Sequence, residues 1–243
     1  LEEPDLSEAV GVDGSAFASA LSQVSVAAST DDARPILTGV YFENQDGKLR
    51  MVATDSYRLA VRDVPAVDAD LSGLVPVRAL KELSRSVGAN ELMVGMGDRE
   101  AVFNSSRGTL TARLIEGTFP NYRQLIPDSY PSRLTVDRDA LLSAIDRASL
   151  VAEDHIPIRM KLSPGGVELS VSRQDVGGET EHVEAEYNGE EMTIAFNSRY
   201  LNDGVNAVEE DTIALDVLDP LKPGVLRGGE GEDFLYLLMP VRL

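Results

Sequence analysis

The chain has 243 residues, of which 43% are apolar, 26% are charged and none is cysteine. This composition excludes a wholly disordered chain, disulfide bonds, thiolate catalysis and cysteine-ligated zinc, and it is typical of a reducing compartment such as the cytoplasm. With 22 basic and 41 acidic residues the net charge is −19, so the chain on average repels nucleic acid, and any contact with nucleic acid requires a local basic face.

The first residues predict neither a secretion signal nor a membrane anchor. Leu1-Glu2-Glu3 is acidic, without the basic start of a signal peptide, and the absence of an initiator Met indicates a processed chain or a fragment. The longest uncharged stretch, from Gly14 to Thr30, is rich in Ser and Ala and contains Gln23. We therefore predict an amphipathic helix here and no membrane span.

This helix is the first element of a repeat. The segment beginning at Val12-Asp13 recurs 124 positions later at Val136-Asp137. In each copy the Asp is predicted to cap a helix, because its carboxylate can accept the unpaired N–H groups of the first turn. The identical pairs at this offset are Val12 and Val136, Asp13 and Asp137, Ala16 and Ala140, Ser19 and Ser143, Ala20 and Ala144, Ser25 and Ser149, and Ala28 and Ala152.

After this helix the first half continues with strands and a second helix. Leu49, Met51 and Ala53 alternate as in a half-buried strand, and a helix is predicted from about Val77 to Val87. The second half has the same order, with an alternating strand around Leu169 and a helix from about Ser198 to Val208. Hairpin turns are predicted at Gly97-Asp98, Arg107-Gly108 and Gly228-Gly229-Glu230-Gly231.

The repeat predicts an α+β protein made of two tandem copies of one domain, each with two helices packed on antiparallel sheet. We place the domains at residues 1–122 and 123–243. They meet within a connector from Phe119 to Arg133, whose three prolines are expected to interrupt regular structure.

Signals for catalysis are weak. The histidines His155 and His182 have no metal-ligand spacing and are interpreted as surface residues, and nucleotide-binding loops and nucleophile elbows are missing from the sequence. Asp55 and Ser56 together with His155 could form a hydrolase constellation, which stays open as an alternative. The prediction is a protein without catalytic residues, metal or cofactor.

Basic residues fall on the predicted helices. Arg78, Lys81 and Arg85 occupy one face of the second helix of the first half, and such a face can meet phosphates without reading bases. An exposed face with local ion pairs is an equally good interpretation. The complete set of candidate DNA-facing residues is Arg78, Lys81, Arg85, Arg138, Arg147 and Arg199.

Three stretches are distinctive and together resemble a known family, and a fourth, Ala195 to Leu201, is less distinctive. They are Val52-Ala53-Thr54-Asp55-Ser56-Tyr57-Arg58-Leu59-Ala60-Val61, Glu116-Gly117-Thr118-Phe119-Pro120-Asn121-Tyr122-Arg123-Gln124-Leu125-Ile126-Pro127, Ala195-Phe196-Asn197-Ser198-Arg199-Tyr200-Leu201 and Tyr236-Leu237-Leu238-Met239-Pro240-Val241-Arg242-Leu243. They resemble the bacterial sliding clamp, the beta subunit of DNA polymerase III, over essentially the whole chain. A full clamp subunit has three similar domains; this chain resembles the second and third, so the first is expected to be missing.

The resemblance implies a non-catalytic processivity factor of DNA replication. In the family, two subunits join head to tail, first domain to third, into a homodimer ring around duplex DNA, with helices lining the hole. Because such a ring encircles the DNA, a negative net charge is compatible with this role. Retention on DNA raises the effective concentration of the polymerase there. The implied partners are duplex DNA, the replicative polymerase subunit, the clamp loader, other polymerases and mismatch-repair proteins.

The resemblance also implies a pocket between the second and third domains that binds a short linear motif through Leu and Phe anchors. Tyr57 and Gln124 stand where some members carry other residues, which leaves partner preference open. Carried over by motif, the pocket consists of Arg34, Leu37, Thr54, Tyr57, Arg58, Leu59, Pro120, Leu125, Asn197, Tyr200, Leu221, Pro223, Leu237, Met239, Pro240, Val241 and Arg242. The main alternative is a standalone two-domain interaction module derived from a clamp.

Overall fold

The computed structural model describes residues 6–65, 70–152, 156–173, 177–231 and 233–243. The chain divides into two compact units, Leu1–Asn121 and Tyr122–Leu243. Each unit is an α+β domain in which two helices pack on antiparallel strands, which confirms the predicted fold class. Within these described ranges, no helix is long and apolar enough to cross a membrane.

The first unit forms its helices and strands in the predicted order. A 3-10 turn, Pro35–Thr38, precedes the first long hairpin. The helices are α1 (Gly14–Ser25) and α2 (Val77–Ser86), and the strands are β1 (Val10–Val12), β2 (Gly39–Gln45), β3 (Lys48–Thr54), β4 (Arg58–Pro65), β5 (Gly73–Pro76), β6 (Leu92–Met96), β7 (Glu100–Ser105) and β8 (Gly108–Arg113).

All strand pairs within this unit are antiparallel. One set has the order β1-β6-β7-β8, and the other has the order β4-β3-β2-β5. The β3–β4 pair ends with Thr54 opposite Leu59, and residues 55–57 form the turn between these strands. The predicted turns at Gly97-Asp98 and Arg107-Gly108 join β6 to β7 and β7 to β8, as expected.

The second unit begins with a 3-10 turn, Tyr122–Leu125. Its helices are α3 (Arg138–Ala152) and α4 (Ser198–Ala207), and its strands are β9 (Ser132–Asp137), β10 (Pro157–Ser163), β11 (Gly166–Arg173), β12 (Gly177–Tyr187), β13 (Met192–Asn197), β14 (Thr212–Val217), β15 (Gly224–Gly228) and β16 (Phe234–Leu238). The strands pair antiparallel in the order β13-β10-β11-β12-β9-β14-β15-β16.

The two predicted caps have the same geometry in the two units. Asp13 Oδ1 accepts the N–H of Ala16 at 2.7 Å, and Asp137 Oδ1 accepts the N–H of Ala140 at 2.8 Å. Each bond satisfies a backbone donor that the first helical turn leaves unpaired. The helix starts predicted from the repeat are therefore confirmed.

The core of the first unit contains a cluster of three phenylalanines. Phe17 on α1 lies with its ring centroid 6.2 Å from that of Phe42 on β2 and 5.9 Å from that of Phe103 on β7. All three side chains are fully buried. Loss of one such ring costs about 3–5 kcal/mol of stability, so this cluster fixes α1 against both sets of strands.

In the second unit, α4 packs closely on the last strand through Gly204. A Cβ built at this position would collide with the ring of Tyr236 on β16. The absence of a side chain lets the helix backbone approach the ring, and the hydroxyl of Tyr236 donates to the carbonyl of Tyr200 at 2.8 Å. The strand that precedes the C-terminal residues is thus fixed to α4.

The connector is more regular than the sequence predicts. The three prolines were expected to interrupt regular structure from Phe119 to Arg133. The structure instead forms a 3-10 turn at Tyr122–Leu125, and β9 begins at Ser132. The prolines lie outside both elements, so their lack of an N–H donor breaks neither.

Candidate functional site

The turn between β3 and β4 contains predicted pocket residues and is held by a single carboxylate. Asp55 Oδ1 accepts the N–H groups of Tyr57 and Arg58 at 3.0 and 3.1 Å, and its Oδ2 accepts Nε–H of Arg58 at 3.0 Å. The Thr54 hydroxyl donates to the carbonyl of Arg58 at 2.7 Å. With these polar groups satisfied internally, the turn exposes 55% of Tyr57 and buries Thr54 and Arg58.

The other predicted residues of the first unit differ in their exposure. Arg34 and Pro120 are exposed, and Leu37 lies nearly buried in the 3-10 turn Pro35–Thr38. Leu59, in contrast, has no exposed surface. It therefore packs inside the protein, whereas the resemblance implies a residue of the pocket surface.

After β16, the C-terminal residues of the second unit form an exposed segment. Leu237 is buried within β16, but Met239 and Val241 are 40% and 37% exposed, and Arg242 is exposed as well. The N–H of Val241 donates to the carbonyl of Ala195 on β13 at 2.8 Å. This backbone bond holds the segment against the sheet and leaves its side chains accessible.

The remaining predicted residues surround the start of α4 and two loops. Asn197 is the N-cap of α4, and its Oδ1 accepts the N–H of Tyr200 at 3.0 Å. Pro223 is half-buried immediately before β15, whereas Leu221 and Leu125 are 63% and 44% exposed. Asn197 therefore has a structural task in addition to any binding role.

Exposed apolar side chains concentrate in the predicted set. Among the described residues, eight large apolar side chains are exposed, and five of them were predicted as pocket residues. Water-exposed apolar groups of this size are favourable contact points for a partner. The five are Tyr57, Leu125, Leu221, Met239 and Val241, and the others are Leu150, Leu218 and Leu243.

The predicted basic face of the first unit is present on α2. Arg78, Lys81 and Arg85 are all exposed on this helix. Arg85 forms an exposed ion pair with Glu82, Nη1 to Oε1 at 2.9 Å. The helix thus carries three basic residues and one acidic residue, in a chain whose net charge is −19.

Two of the three basic residues predicted in the second unit serve the fold. Arg138 donates from Nε to the carbonyl of Val208 at 2.6 Å and from Nη2 to that of Asn206 at 3.0 Å, so it caps the end of α4. Arg147 forms two hydrogen bonds with Glu181, at 2.7 and 2.9 Å. This pair raises the pKa of Arg147 and lowers that of Glu181.

Arg199, near the start of α4, is the third of these residues and is exposed. Because the cationic groups of Arg138 and Arg147 already have partners within the unit, the basic character of the second unit's helices is weaker than the sequence predicts. The DNA-facing assignment of these two residues is the least supported part of that prediction.

The geometry of Asp55 and Ser56 does not support the hydrolase alternative. Both carboxylate oxygens of Asp55 hold the turn, and the hydroxyl of Ser56 accepts a hydrogen bond from Arg34 at 3.1 Å. His155 lies outside the described residues, and His182 is exposed on β12. In the part of the chain that the structure describes, no group of three or more His, Asp or Glu residues is arranged to hold a metal ion.

Sequence analysis missed the residues that hold the site. Asp31, Asp55 and Ser56 are not among the predicted pocket residues, yet they hold the side chains of Arg34 and Arg58, and Asp55 also accepts the backbone N–H of Tyr57. Glu210, which the sequence analysis does not single out, accepts the N–H groups of Glu230 and Gly231 at 3.0 and 3.1 Å. The available signal was Asp55 itself, because an Asp carboxylate between two strands often accepts the backbone N–H two residues on, as in an Asx turn.

Comparison with known proteins places both units in one family. The model for the central domain of the DNA polymerase III beta subunit matches residues 11–121, and the model for its C-terminal domain matches residues 123–242. The beta sliding clamp of Streptomyces coelicolor is 33% identical over 257 residues, which cover 99% of this chain and 68% of that protein.

Two further relatives support the same family assignment. The beta sliding clamp of Staphylococcus aureus is 33% identical over 229 residues, covering 91% of this chain but 61% of that protein. The crystal structure of the DNA polymerase sliding clamp from Bacillus subtilis superposes with a TM-score of 0.94 at 27% identity, and covers all of this chain and 67% of that chain. The chain thus spans about two thirds of the length of these relatives.

Proposed function

The chain belongs to the DNA polymerase III beta subunit family, the beta sliding clamps, and we propose that it supplies the partner-binding part of such a clamp. In this role it is a non-catalytic tether. It holds replicative polymerase and other DNA-processing proteins on duplex DNA by binding a short linear motif in each of them. Its place of action is the cytoplasm of a bacterium.

The observation that carries this proposal is the exposure of Tyr57, Leu125, Leu221, Met239 and Val241. A pocket for Leu and Phe anchors needs apolar side chains that water reaches before the peptide arrives, since their desolvation supplies the favourable free energy. The family resemblance assigns each of these residues to the pocket independently of its exposure.

The chemistry of this set suits a partner-binding surface that accepts several sequences. Met239 is unbranched and polarisable, so it can adjust to different apolar anchors. Arg34, Asn197 and Arg242 supply polar groups for the peptide backbone and side chains. Burial of one Leu and one Phe contributes about 1.5–3 kcal/mol each, and association costs offset part of this, so we expect micromolar affinity.

The DNA part of the proposal depends on encirclement by a complete ring. We propose that α2 faces the duplex, with Arg78, Lys81 and Arg85 meeting phosphates without reading bases. Because the net charge is −19, electrostatic attraction of the chain to DNA that it does not encircle is weak. A ring-shaped homodimer, completed by a domain of the kind that precedes the matched region in the family, would retain DNA by topology.

Calorimetry with a synthetic peptide tests the docking site directly. The peptide has the clamp-binding pattern, a Gln followed by Leu and a terminal Leu-Phe pair, and is titrated into the parent chain and into a chain that lacks residues 239–243. These residues follow β16, so the shortened chain keeps the strand that packs on α4. We expect micromolar binding to the parent and none to the shortened chain.

The matched control is Arg85→Ala, which changes the proposed DNA face and leaves the docking residues intact. Peptide affinity should be the same as that of the parent. Circular dichroism confirms that each variant is folded. A folded chain that lacks residues 239–243 and still binds the peptide as tightly as the parent contradicts the site.

A further inference from the structure

Ser56 has a backbone conformation that its residue type rarely adopts. Its φ is 79°, in the left-handed region that favours glycine. Among the described residues, Asp46 is the other non-glycine residue with a positive φ, and Asp tolerates this region better because its side chain can hydrogen-bond to the local backbone. A glycine at position 56 would adopt this conformation without strain. The Ser hydroxyl is therefore expected to have a function that offsets the strain.

The hydroxyl of Ser56 is engaged with a residue distant in the sequence. Its Oγ accepts a hydrogen bond from Nη1 of Arg34 at 3.1 Å. The N–H of Ser56 donates to Thr54 Oγ1 at 3.2 Å, and Asp55 holds the residues that follow. The left-handed conformation is thus imposed by the turn, and it brings the hydroxyl to the guanidinium of Arg34.

A second fixed group holds the same guanidinium. Nε of Arg34 lies 3.4 Å from Oδ2 of Asp31. Asp31 is itself held, because its Oδ1 accepts the N–H of Ala33 at 2.9 Å and its own N–H donates to Ser29 Oγ at 3.1 Å. Arg34 is therefore bound at Nε and at Nη1 by groups on two different loops.

This arrangement leaves Arg34 ordered but accessible. Its side chain is 43% exposed. A guanidinium has five N–H donors in a fixed plane, and within the described residues two of its nitrogens have these partners. The other donors can meet acceptor groups of a ligand in a direction that Asp31 and Ser56 set in advance.

We infer that Ser56 is a positioning residue, which orients Arg34 for the acceptor groups of a bound peptide. The inference rests on the proposed function, since it concerns the same docking site. A long Arg side chain loses rotamer freedom when a ligand immobilises it, and an Arg that is already ordered loses less. Peptide affinity should therefore depend on the Ser56 hydroxyl even if this hydroxyl makes no contact with the peptide.

The test compares three substitutions at this position by calorimetry with the Gln-Leu and Leu-Phe peptide. Ser56→Gly and Ser56→Ala both remove the hydroxyl, and we expect each to weaken binding about threefold to tenfold. Ser56→Asn should restore most of the affinity, because Asn tolerates a positive φ and its carbonyl oxygen can accept from Arg34.

Thermal unfolding separates this role from a merely structural one. Ser56→Gly relieves the backbone strain, so its melting temperature should stay equal to or above that of the parent even though the peptide binds more weakly. A double-mutant cycle adds the second readout: in a chain with Arg34→Ala, Ser56→Gly should change affinity no further. Unchanged binding in Ser56→Gly, or equal weakening in both backgrounds, overturns the inference.

Side-chain ¹⁵N relaxation of Arg34 in the unliganded protein distinguishes failure of this inference from failure of the proposed function. If the parent binds no peptide, the proposed function falls, and Arg34 order remains measurable. Faster motion of Arg34 in Ser56→Gly than in the parent supports the positioning role. Equal motion in the two proteins overturns it.

Discussion

Arg133 forms two parallel hydrogen bonds with Asp216, Nε to Oδ1 at 2.6 Å and Nη2 to Oδ2 at 2.9 Å. The Asp216 side chain is 5% exposed and that of Arg133 is 47% exposed. The pair joins β9 to β14, and Nε of Arg227 on β15 lies 3.7 Å from the same carboxylate. A nearly buried carboxylate is thus held by cations on the two strands that flank its own.

We expect Arg133→Ala to lower the free energy of unfolding by about 1–3 kcal/mol. Removal of the Arg133 side chain deprives the nearly buried Asp216 carboxylate of two charge-assisted hydrogen bonds. Solvent screening at Arg133 and the remaining cation, Arg227, limit the loss of stability. Urea unfolding measures the change. The control is Arg147→Ala, which breaks a more exposed pair with Glu181 and should leave the midpoint almost unchanged. Equal loss in both variants would show that burial of Asp216 is unimportant.

Met239→Ala should weaken binding of the Leu-Phe peptide about 5-fold to 30-fold. The substitution removes apolar surface equivalent to about 1–2 kcal/mol of contact in the proposed pocket, and each 1.4 kcal/mol is a factor of ten in affinity. Because the Met239 side chain is 40% exposed, stability should change little. Leu150→Ala on α3 is the control, since Leu150 is more exposed, at 83%, and lies outside the predicted set. The site assignment is wrong if the two variants bind alike.

Arg78, Lys81 and Arg85 should account for the weak attraction of this chain to linear duplex DNA. At physiological salt we expect a dissociation constant of about 10⁻⁴ to 10⁻⁶ M, because non-specific phosphate contacts are weak. Replacing all three residues by Ala should reduce the slope of log K against log salt by up to about 2–3, since each phosphate contact contributes about 0.9. Fluorescence anisotropy at several salt concentrations measures both quantities.

A control with the same change of net charge replaces Arg107, Arg113 and Arg159 by Ala, three exposed basic residues on strands and turns. Its salt slope should stay near that of the parent. Nanomolar affinity of the parent for linear duplex at physiological salt would contradict retention by encirclement.

Tyr130 should ionise at a pH well above the usual range of a tyrosine. Its pKa is raised to about 12, mainly by burial; of the nearby charges, Arg227 lowers this pKa and Asp216 raises it. The unfolded chain ionises this phenol near pH 10, so stability is intact below that pH and falls as the pH rises towards 12. Tyr130→Phe should remove this loss and should remove one phenol from the ionisation near pH 12 in an absorbance titration at about 295 nm.

The Tyr130 hydroxyl has no hydrogen-bond partner within the described structure, so its removal should leave stability at neutral pH unchanged or slightly higher. A large loss of stability in Tyr130→Phe at neutral pH would show that the hydroxyl has a partner.

The sequence alone determined the architecture of this protein, because the signals that specify it are local. Asp13 and Asp137 predict helix starts from residues within one turn, and both caps form. The alternation of Leu49, Met51 and Ala53 predicts a strand by its period of two, and β3 contains all three. Family membership followed from short motifs whose order along the chain the sequence also shows.

The tertiary structure decided which predicted residues are accessible and which charges have partners. Arg138 reaches Val208, 70 positions away, and Arg147 reaches Glu181, 34 positions away, so neither pairing has a local signal. Leu59 and Met239 were predicted alike, yet the first is fully buried and the second is 40% exposed. Exposure and ion pairing depend on what distant elements place beside a side chain, and that information lies in the packing of the fold and in no single stretch of sequence.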